Sequence, residues 1–125
     1  MAGIRILVTG SRKWVDRMAV QQELFRTADA WHTPLSECTV VHGAARGLDT
    51  LAHVAALSMG MQVEAHPADW DQHPRKAGPI RNQAMIDAGA AVCLAFPLPG
   101  SIGTWDCIRR ANKARILVVI VAEVE

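Results

Sequence analysis

The residues from Pro99 to Thr104 have the composition of an anion-binding loop. The apolar run Ala91–Ala95 before them predicts a buried strand, and the residues from Trp105 to Ala114 predict a helix. The first amides of a helix have no partner within the helix, and the helix dipole favours a negative charge there. Gly100 and Gly103 permit a tight turn and a close approach of a ligand to the backbone. We therefore predict a phosphate site, formed by Pro99, Gly100, Ser101, Gly103 and Thr104.

A second candidate segment follows the first apolar run of the chain, residues 4–8. It consists of Thr9, Gly10, Ser11 and Arg12. The Ser11 hydroxyl and the Arg12 guanidinium are both suited to a phosphate or a carboxylate, which arginine binds through two parallel hydrogen bonds. A structural turn that exposes an arginine explains the same residues equally well.

A third glycine-bearing segment lies between a second predicted strand and a helix. Its candidate ligand residues are Gly43, Arg46 and Asp49. Asp49 in the first turn of the helix has two interpretations: it complements the helix dipole, or it accepts hydrogen bonds from ribose hydroxyls or positions Arg46. We interpret the neighbouring His42 as a packed or hydrogen-bonded side chain rather than a catalytic base.

The polar segment Pro67–Lys76 is longer than the other connections, and loops of this kind tend to be functional. Asp69 and Trp70 are candidate ligand residues within it. Trp70 has two interpretations, a ring that stacks on a base and a ring that covers the core. Asp69, Asp71 and His73 lack a further ligand at metal-binding spacing, so we predict no metal site and no cofactor.

Arg81 and Asn82 belong to the start of the next predicted helix, which runs from Pro79 to Ala88. An arginine in the first turn opposes the helix dipole, and a residue that breaks a local rule is a candidate for function. We predict that Arg81 meets an anion that the helix end also attracts, and we count Asn82 among the ligand residues.

The length of 125 residues predicts a single domain spanning residues 1–125, and its alternating strand and helix segments predict the α/β class. The net charge is +1, which argues against nucleic acid as a partner, because domains that bind its backbone usually carry a basic excess. Cys38, Cys93 and Cys107 show no metal or redox spacing, so we interpret them as free thiols of a reducing compartment. The sequence shows no secretory signal and no apolar run of bilayer length. We therefore expect a cytoplasmic protein without membrane contact.

Nearly continuous apolar strands alternate with helices along the chain. This pattern predicts a Rossmann-like three-layer αβα sandwich with a five-stranded parallel sheet covered on both faces. We expect the strand order 3-2-1-4-5, which reverses between the first and fourth strands. Ligands bind at the carboxyl ends of the strands near such a reversal, so the loops after these two strands would flank one crevice.

Taken together, the candidate segments resemble the SLOG superfamily, and more closely its YspA-type (cpYpsA-related) branch of small single-domain proteins. The motifs that carry the resemblance are Val8–Arg12, Gly43–Asp49, Asp69-Trp70, Ala77–Asn82 and Pro99–Thr104. The superfamily includes the LOG-type phosphoribohydrolases and the Rossmann domain of DNA-processing protein A. The resemblance implies a nucleotide or nucleotide-derived ligand at the carboxyl ends of the strands, and a homodimer.

The same resemblance bears on catalysis at three positions. In LOG-type enzymes the loop Pro-Gly-Gly-x-Gly-Thr is followed by a catalytic glutamate; here Ser101 replaces the second glycine and Asp106 stands in place of the glutamate. Arg81 is the counterpart of a catalytic arginine of those enzymes. Aspartate is one methylene shorter, and a misplacement of ~1 Å can lower a rate about a hundredfold. Whether the protein is an enzyme therefore stays open at this point.

Three functions follow from these observations. The first is binding of a nucleotide or ribose phosphate by a sensor or sequestering module. The alternative is hydrolysis of the N-glycosidic bond of a nucleoside 5′-monophosphate, with Arg81 and Asp106 as the catalytic residues. Binding of single-stranded DNA ranks last, because of the nearly neutral net charge.

Overall fold

The computed structural model describes residues 3–123, which form five strands and four α-helices. The strands are β1 (Ile4–Gly10), β2 (Cys38–His42), β3 (Gln62–Ala65), β4 (Val92–Phe96) and β5 (Leu117–Ile120). The helices are α1 (Arg17–Ala30), α2 (Leu48–Ser58), α3 (Ala77–Ala88) and α4 (Ile102–Lys113), and a short 3₁₀ helix, Leu35–Glu37, precedes β2. All strand pairs are parallel, in the order β3-β2-β1-β4-β5, which confirms the predicted fold class and strand order.

Residues of the central strand alternate between two cores. Ile6 and Val8 belong to one core, together with α1 and α2 residues such as Leu24 and Ala52. Leu7 belongs to the other core, which contains Met85, Ile86, Cys107 and Ala111 of α3 and α4. Successive strand side chains point to opposite faces, so the sheet is covered by α1 and α2 on one side and by α3 and α4 on the other.

The strand order places one edge of the sheet in position for a ligand. β1 lies between β2 and β4, and the crossovers from β1 to β2 and from β4 to β5 lead in opposite directions. The amide of Ser11 donates to the carbonyl of Phe96 at 3.0 Å, which joins the carboxyl ends of β1 and β4. A crevice between the loops that leave these strands is the expected result.

Two helices begin earlier than the sequence predicts. α4 begins at Ile102 rather than Trp105, so Gly103 lies within its first turn. α3 begins at Ala77 rather than Pro79, because proline is tolerated throughout the first turn, where its missing N–H needs no partner. Arg81 therefore lies in the second turn of α3, and the argument that it opposes the dipole at the helix start is wrong.

The structure also bears on membrane association. Within residues 3–123, no helix combines the length and the apolar character that crossing a membrane requires.

Candidate functional site

A cleft of about 410 Å³ lies at the carboxyl ends of β1 and β4. Most of the predicted ligand residues line it, although they come from four separate loops and helices. They are Gly10, Ser11, Arg12, Gly43, Arg46, Asp49, Arg81, Asn82, Pro99, Gly100, Ser101, Gly103 and Thr104. The cleft is also lined by residues that were not among the predicted ligand residues, which are Val8, Thr9, Lys13, Ala45, Met85 and Ile102.

The start of α4 forms one wall of the cleft and is open to solvent. Ser101 precedes the helix but makes no side-chain hydrogen bond to its first turn, since its hydroxyl accepts from the amide of Leu98 at 2.9 Å. Gly100 has a φ of 84°, which favours glycine, and a Cβ atom built on Gly103 would meet nothing within 4 Å. Among the first-turn amides of α4, that of Ile102 donates to the carbonyl of Gly100 at 2.9 Å, which leaves those of Gly103 and Thr104 for an anion.

The loop after β1 forms the opposite wall. The hydroxyl oxygen of Ser11 accepts from the amide of Lys13 at 3.0 Å, and the carbonyl of Ser11 accepts from Leu48 at 3.1 Å. The hydroxyl keeps its own proton for a ligand. Arg12 and Lys13 are exposed, and neither forms a salt bridge within residues 3–123.

Asp49 anchors the loop after β2. One of its carboxylate oxygens, Oδ2, accepts from the amides of Gly43 at 3.1 Å and Ala45 at 3.2 Å. The other oxygen, Oδ1, is buried without a hydrogen-bond partner in the described part of the chain. Burial raises the pKa of Asp49 to about 6, against the opposing effect of these amides and of Arg81. The role of Asp49 thus differs from dipole complementation alone, and Oδ1 is free to accept from a ligand.

Arg81 lies at the floor of the cleft against the backbone of the β2–α2 loop. Its Nη1 donates to the carbonyl of Gly43, and its Nε donates to Oδ1 of Asn82 at 2.9 Å. A side chain at position 43 would overlap the guanidinium, so glycine is required there for this contact. Burial lowers the pKa of Arg81, but no carboxylate lies within 4.0 Å of it among residues 3–123.

Asp106 does not line the cleft. Its carboxylate accepts from Nε of Arg110 at 2.9 Å and from Nδ2 of Asn82 at 3.0 Å, and Arg109 lies 3.7 Å away. Burial acts to raise the pKa of Asp106, but the hydrogen bonds from Arg110 and Asn82 outweigh it and lower this pKa. Asp106 therefore stays ionised and is occupied by its own neighbours, and its catalytic role stays a prediction.

Asp69 and Trp70 also lie outside the cleft. Asp69 accepts from the amide of Gln72 at 3.1 Å, which stabilises the turn after β3. Trp70 lines a second space of about 360 Å³, which adjoins the cleft and shares Arg12, Arg46 and Arg81 with it. We call this space the Trp70 groove.

His42 is buried and hydrogen-bonded at the end of β2, as the sequence analysis expected, but its partner His53 was not predicted. Nδ1 of His42 accepts from the amide of Ala44 at 3.0 Å, so the proton of the neutral ring lies on Nε2, which donates to Nδ1 of His53 at 2.9 Å. Burial, together with His53, lowers the pKa of His42 to about 4. No spacing rule pairs residues 42 and 53, because the contact joins a strand end to the middle of a helix.

The sequence profile of the YspA, cpYpsA-related SLOG family matches residues 4–73. The chain belongs to this family. The Gene 61 protein of Mycobacterium phage D29 is 49% identical over 120 residues, which cover 92% of this chain and 94% of the relative. The family resemblance stated from the motifs is thereby confirmed.

Two solved structures share the fold. DNA processing protein A from Streptococcus pneumoniae matches 98% of this chain with a TM-score of 0.73 and 20% identity, and this chain spans 51% of its length. The Helicobacter pylori protein of the same name matches 98% of this chain with a TM-score of 0.69 and 14% identity, over 67% of its own length. At these identities the likeness shows the Rossmann-like fold.

The expectation against a nucleic-acid partner is wrong. The Helicobacter pylori protein, which matches nearly the whole chain in fold, has a single-stranded DNA binding mode. The net charge of +1 misled because it averages over the whole surface. Arg12, Lys13 and Arg46 give one edge of the sheet a local positive charge that the average conceals.

Proposed function

We propose that the protein binds a nucleotide or another ribose phosphate in the cleft, as a sensor or sequestering module. One observation supports this most strongly: the open start of α4 faces the same cleft as the exposed cations Arg12, Lys13 and Arg46. Amides with no partner and arginine forks are the two groups that proteins most often combine around a phosphate. The cleft volume of about 410 Å³ falls within the range of small-molecule sites.

The polar groups of the cleft divide into two sets that match the two halves of a nucleotide. The amides of Gly103 and Thr104, the Ser11 hydroxyl and Arg12 all donate, as a phosphate requires. The buried Oδ1 of Asp49 has no hydrogen-bond partner within residues 3–123, and an ionised carboxylate oxygen accepts hydrogen bonds but donates none. It therefore suits a ribose hydroxyl, which can donate. We therefore assign the phosphate to the α4 side of the cleft and the ribose to the Asp49 side.

A thermal-shift and calorimetric screen tests this proposal. Nucleoside mono- and diphosphates, cyclic nucleotides and ADP-ribose are compared with free nucleosides and inorganic phosphate. A ligand at a hundred times its Kd should stabilise the fold by about 2.7 kcal/mol. The proposal expects stabilisation by at least one nucleotide and less by its nucleoside. A panel in which no nucleotide shifts the melting temperature contradicts it.

Single-stranded DNA is the second candidate, because the cations of the cleft continue towards the exposed ring of Trp70. An oligonucleotide that releases counterions from Arg12, Lys13 and Arg46 should bind less tightly as salt increases, with a slope of about −0.7 per phosphate neutralised. Binding that does not depend on salt, or no binding to oligonucleotides at all, contradicts this candidate.

The hydrolase alternative requires Asp106 to act at a ribose, and Arg110 and Asn82 occupy its carboxylate. We therefore expect no release of free base from nucleoside 5′-monophosphates. Chromatographic detection of a base, produced by the protein and abolished in Asp106→Asn and Arg81→Ala, would establish the hydrolase instead.

A further inference from the structure

We propose that the Trp70 groove binds a second nucleotide unit, whose base stacks on Trp70, so that the ligand contains two nucleotides joined through phosphate. This inference rests on the proposed function of the cleft and extends it. The two spaces are similar in size, about 410 and 360 Å³, so the site has room for two units of comparable volume.

The residues shared by the two spaces fit a linking phosphate. Arg12, Arg46 and Arg81 line both the cleft and the Trp70 groove, so their charges lie along the boundary between the spaces. Arg12 and Arg46 are exposed and form no salt bridge within residues 3–123. A phosphate that connects two nucleosides would pass this boundary and meet guanidinium groups with unused donors.

Trp70 has the exposure and the support of a stacking surface. Its side chain is 46% exposed, and it belongs to neither hydrophobic core of the described residues. A Cβ atom at Gly78 would lie 3.4 Å from the ring, so the ring rests on the first turn of α3. The turn that carries the ring is held by Asp69, which accepts from Gln72 and His73. A fixed, exposed aromatic ring beside arginines is the arrangement on which bases of single strands stack.

The alternative role of Trp70, a cover over the core, does not fit these observations. A covering ring would be buried within a core, whereas Trp70 is half exposed, belongs to neither core of the described residues and borders a groove that three arginines also line.

Calorimetric titration with the 5′-phosphorylated dinucleotide of adenosine and with adenosine 5′-monophosphate tests the inference, since both keep the 2′-hydroxyl that the Asp49 side of the cleft is proposed to bind. In the wild type, the dinucleotide should bind about 10-fold more tightly than the mononucleotide, because stacking of one base on an aromatic ring increases affinity by about this factor. Trp70→Ala should lose this advantage while its affinity for the mononucleotide is unchanged. Trp70→Phe, which keeps an aromatic ring, should retain most of it.

Three results would overturn the inference or its basis. Equal affinity of the wild type for both ligands, or an equal loss of affinity for both in Trp70→Ala, would exclude a second nucleotide unit on Trp70. Failure of the wild type to bind either ligand would overturn this inference, and failure to bind every other nucleotide of the thermal-shift panel as well would overturn the proposed function itself. Circular dichroism of both variants establishes that they are folded.

Longer oligonucleotides identify the source of the ligand. If affinity reaches its maximum at two nucleotides, the ligand is a small dinucleotide. If affinity continues to rise with length and falls steeply with salt, the ligand is a single strand of nucleic acid. Both outcomes support two nucleotide units in the site, and they differ only in what lies beyond the second.

Discussion

Helices α1 and α4 both begin just beyond the carboxyl ends of neighbouring strands, but their first turns differ. At α1, Oδ1 of Asp16 accepts from the amide of Ala19 at 3.1 Å, so the chain satisfies its own helix start. At α4, the hydroxyl of Ser101 accepts from Leu98 instead, and the first turn has no side-chain cap. A helix start that the protein caps is structural, whereas one left open beside unpaired cations is available for a ligand.

The largest effect that this comparison predicts is a loss of binding at α4. In Gly103→Val, the Cβ atom of the new side chain enters the open space where a phosphate would approach and meets no protein atom within 4 Å. We expect the Kd for a nucleotide to rise by about 100-fold, because charge-assisted hydrogen bonds to the first-turn amides are lost. Calorimetric titration measures this change.

Gly103→Ala is the graded control for this substitution, since its single methyl group should weaken binding less. Thermal unfolding of both variants separates binding from stability. If Gly103→Val binds nucleotide as the wild type does, the open start of α4 is not the phosphate site.

At α1 the comparison predicts the opposite pattern, a loss of stability without a loss of binding. Asp16→Ala removes the cap from the amide of Ala19. The free energy of unfolding should fall by about 1 kcal/mol, the usual effect of deleting such a cap. Urea denaturation measures the stability, and Asp16→Asn, which keeps an acceptor oxygen, should restore most of it. A change in nucleotide affinity beyond about twofold in Asp16→Ala would show that the two helix starts are not independent.

The smallest predicted effect concerns pH, because two groups of the β2–α2 loop act in opposite directions. His42 has a pKa of about 4 in the folded protein against 6.5 ordinarily, so its contribution to the free energy of unfolding is present above pH 6.5 and is lost as pH falls towards 4. Asp49 has a pKa of about 6 against 3.8, so its contribution to the free energy of unfolding is present below pH 3.8 and is lost as pH rises through 6. The two contributions largely cancel between pH 4 and 6.

Removing one of the two groups should reveal the other. In Asp49→Asn, the melting temperature should fall more steeply between pH 6.5 and 4.5 than in the wild type, because the effect of His42 is no longer opposed. Removing one titrating carboxyl group changes the pH dependence of the free energy of unfolding by at most about 1.4 kcal/mol per pH unit. Asp69→Asn, which removes an exposed carboxylate instead, is the control. If the melting temperature depends on pH in the same way in Asp49→Asn and in the wild type, Asp49 does not titrate in this range.

The sequence predicted the elements better than their ends. The end of α3 at Ala88 was predicted correctly, since Gly89 follows it with a φ of 87°, a conformation that favours glycine after a helix. The start of α4 was placed three residues late, because Gly103 was assigned to a turn rather than to the helix. A glycine in the first helical turn costs little when the adjacent chain already fixes its direction, and no local pattern distinguishes the two cases.

The candidate site was predicted unevenly, and the two aspartates show why. Asp49 was a candidate because it lies in the first turn of a helix after a glycine-bearing loop, and Asp106 because the family resemblance puts it in place of a catalytic glutamate. Only the fold places Asp49 within the cleft with one oxygen that has no partner in the described part of the chain, and only the fold brings Asn82 of α3 to Asp106. The ion pairs of Asp106 with Arg109 and Arg110 follow instead from the i,i+3 and i,i+4 spacing within α4.

By itself, the sequence determined the alternation of strands and helices and the glycine-bearing loops that follow β1, β2 and β4, because hydrophobic periodicity and turn residues act locally. The tertiary structure decided which side chains meet. It brought the open start of α4 to the arginines of two other loops, paired His42 with His53, and left Trp70 exposed beside the cleft. These contacts join residues far apart in the chain, so their geometry depends on how the sheet and its crossovers pack, which no short segment encodes.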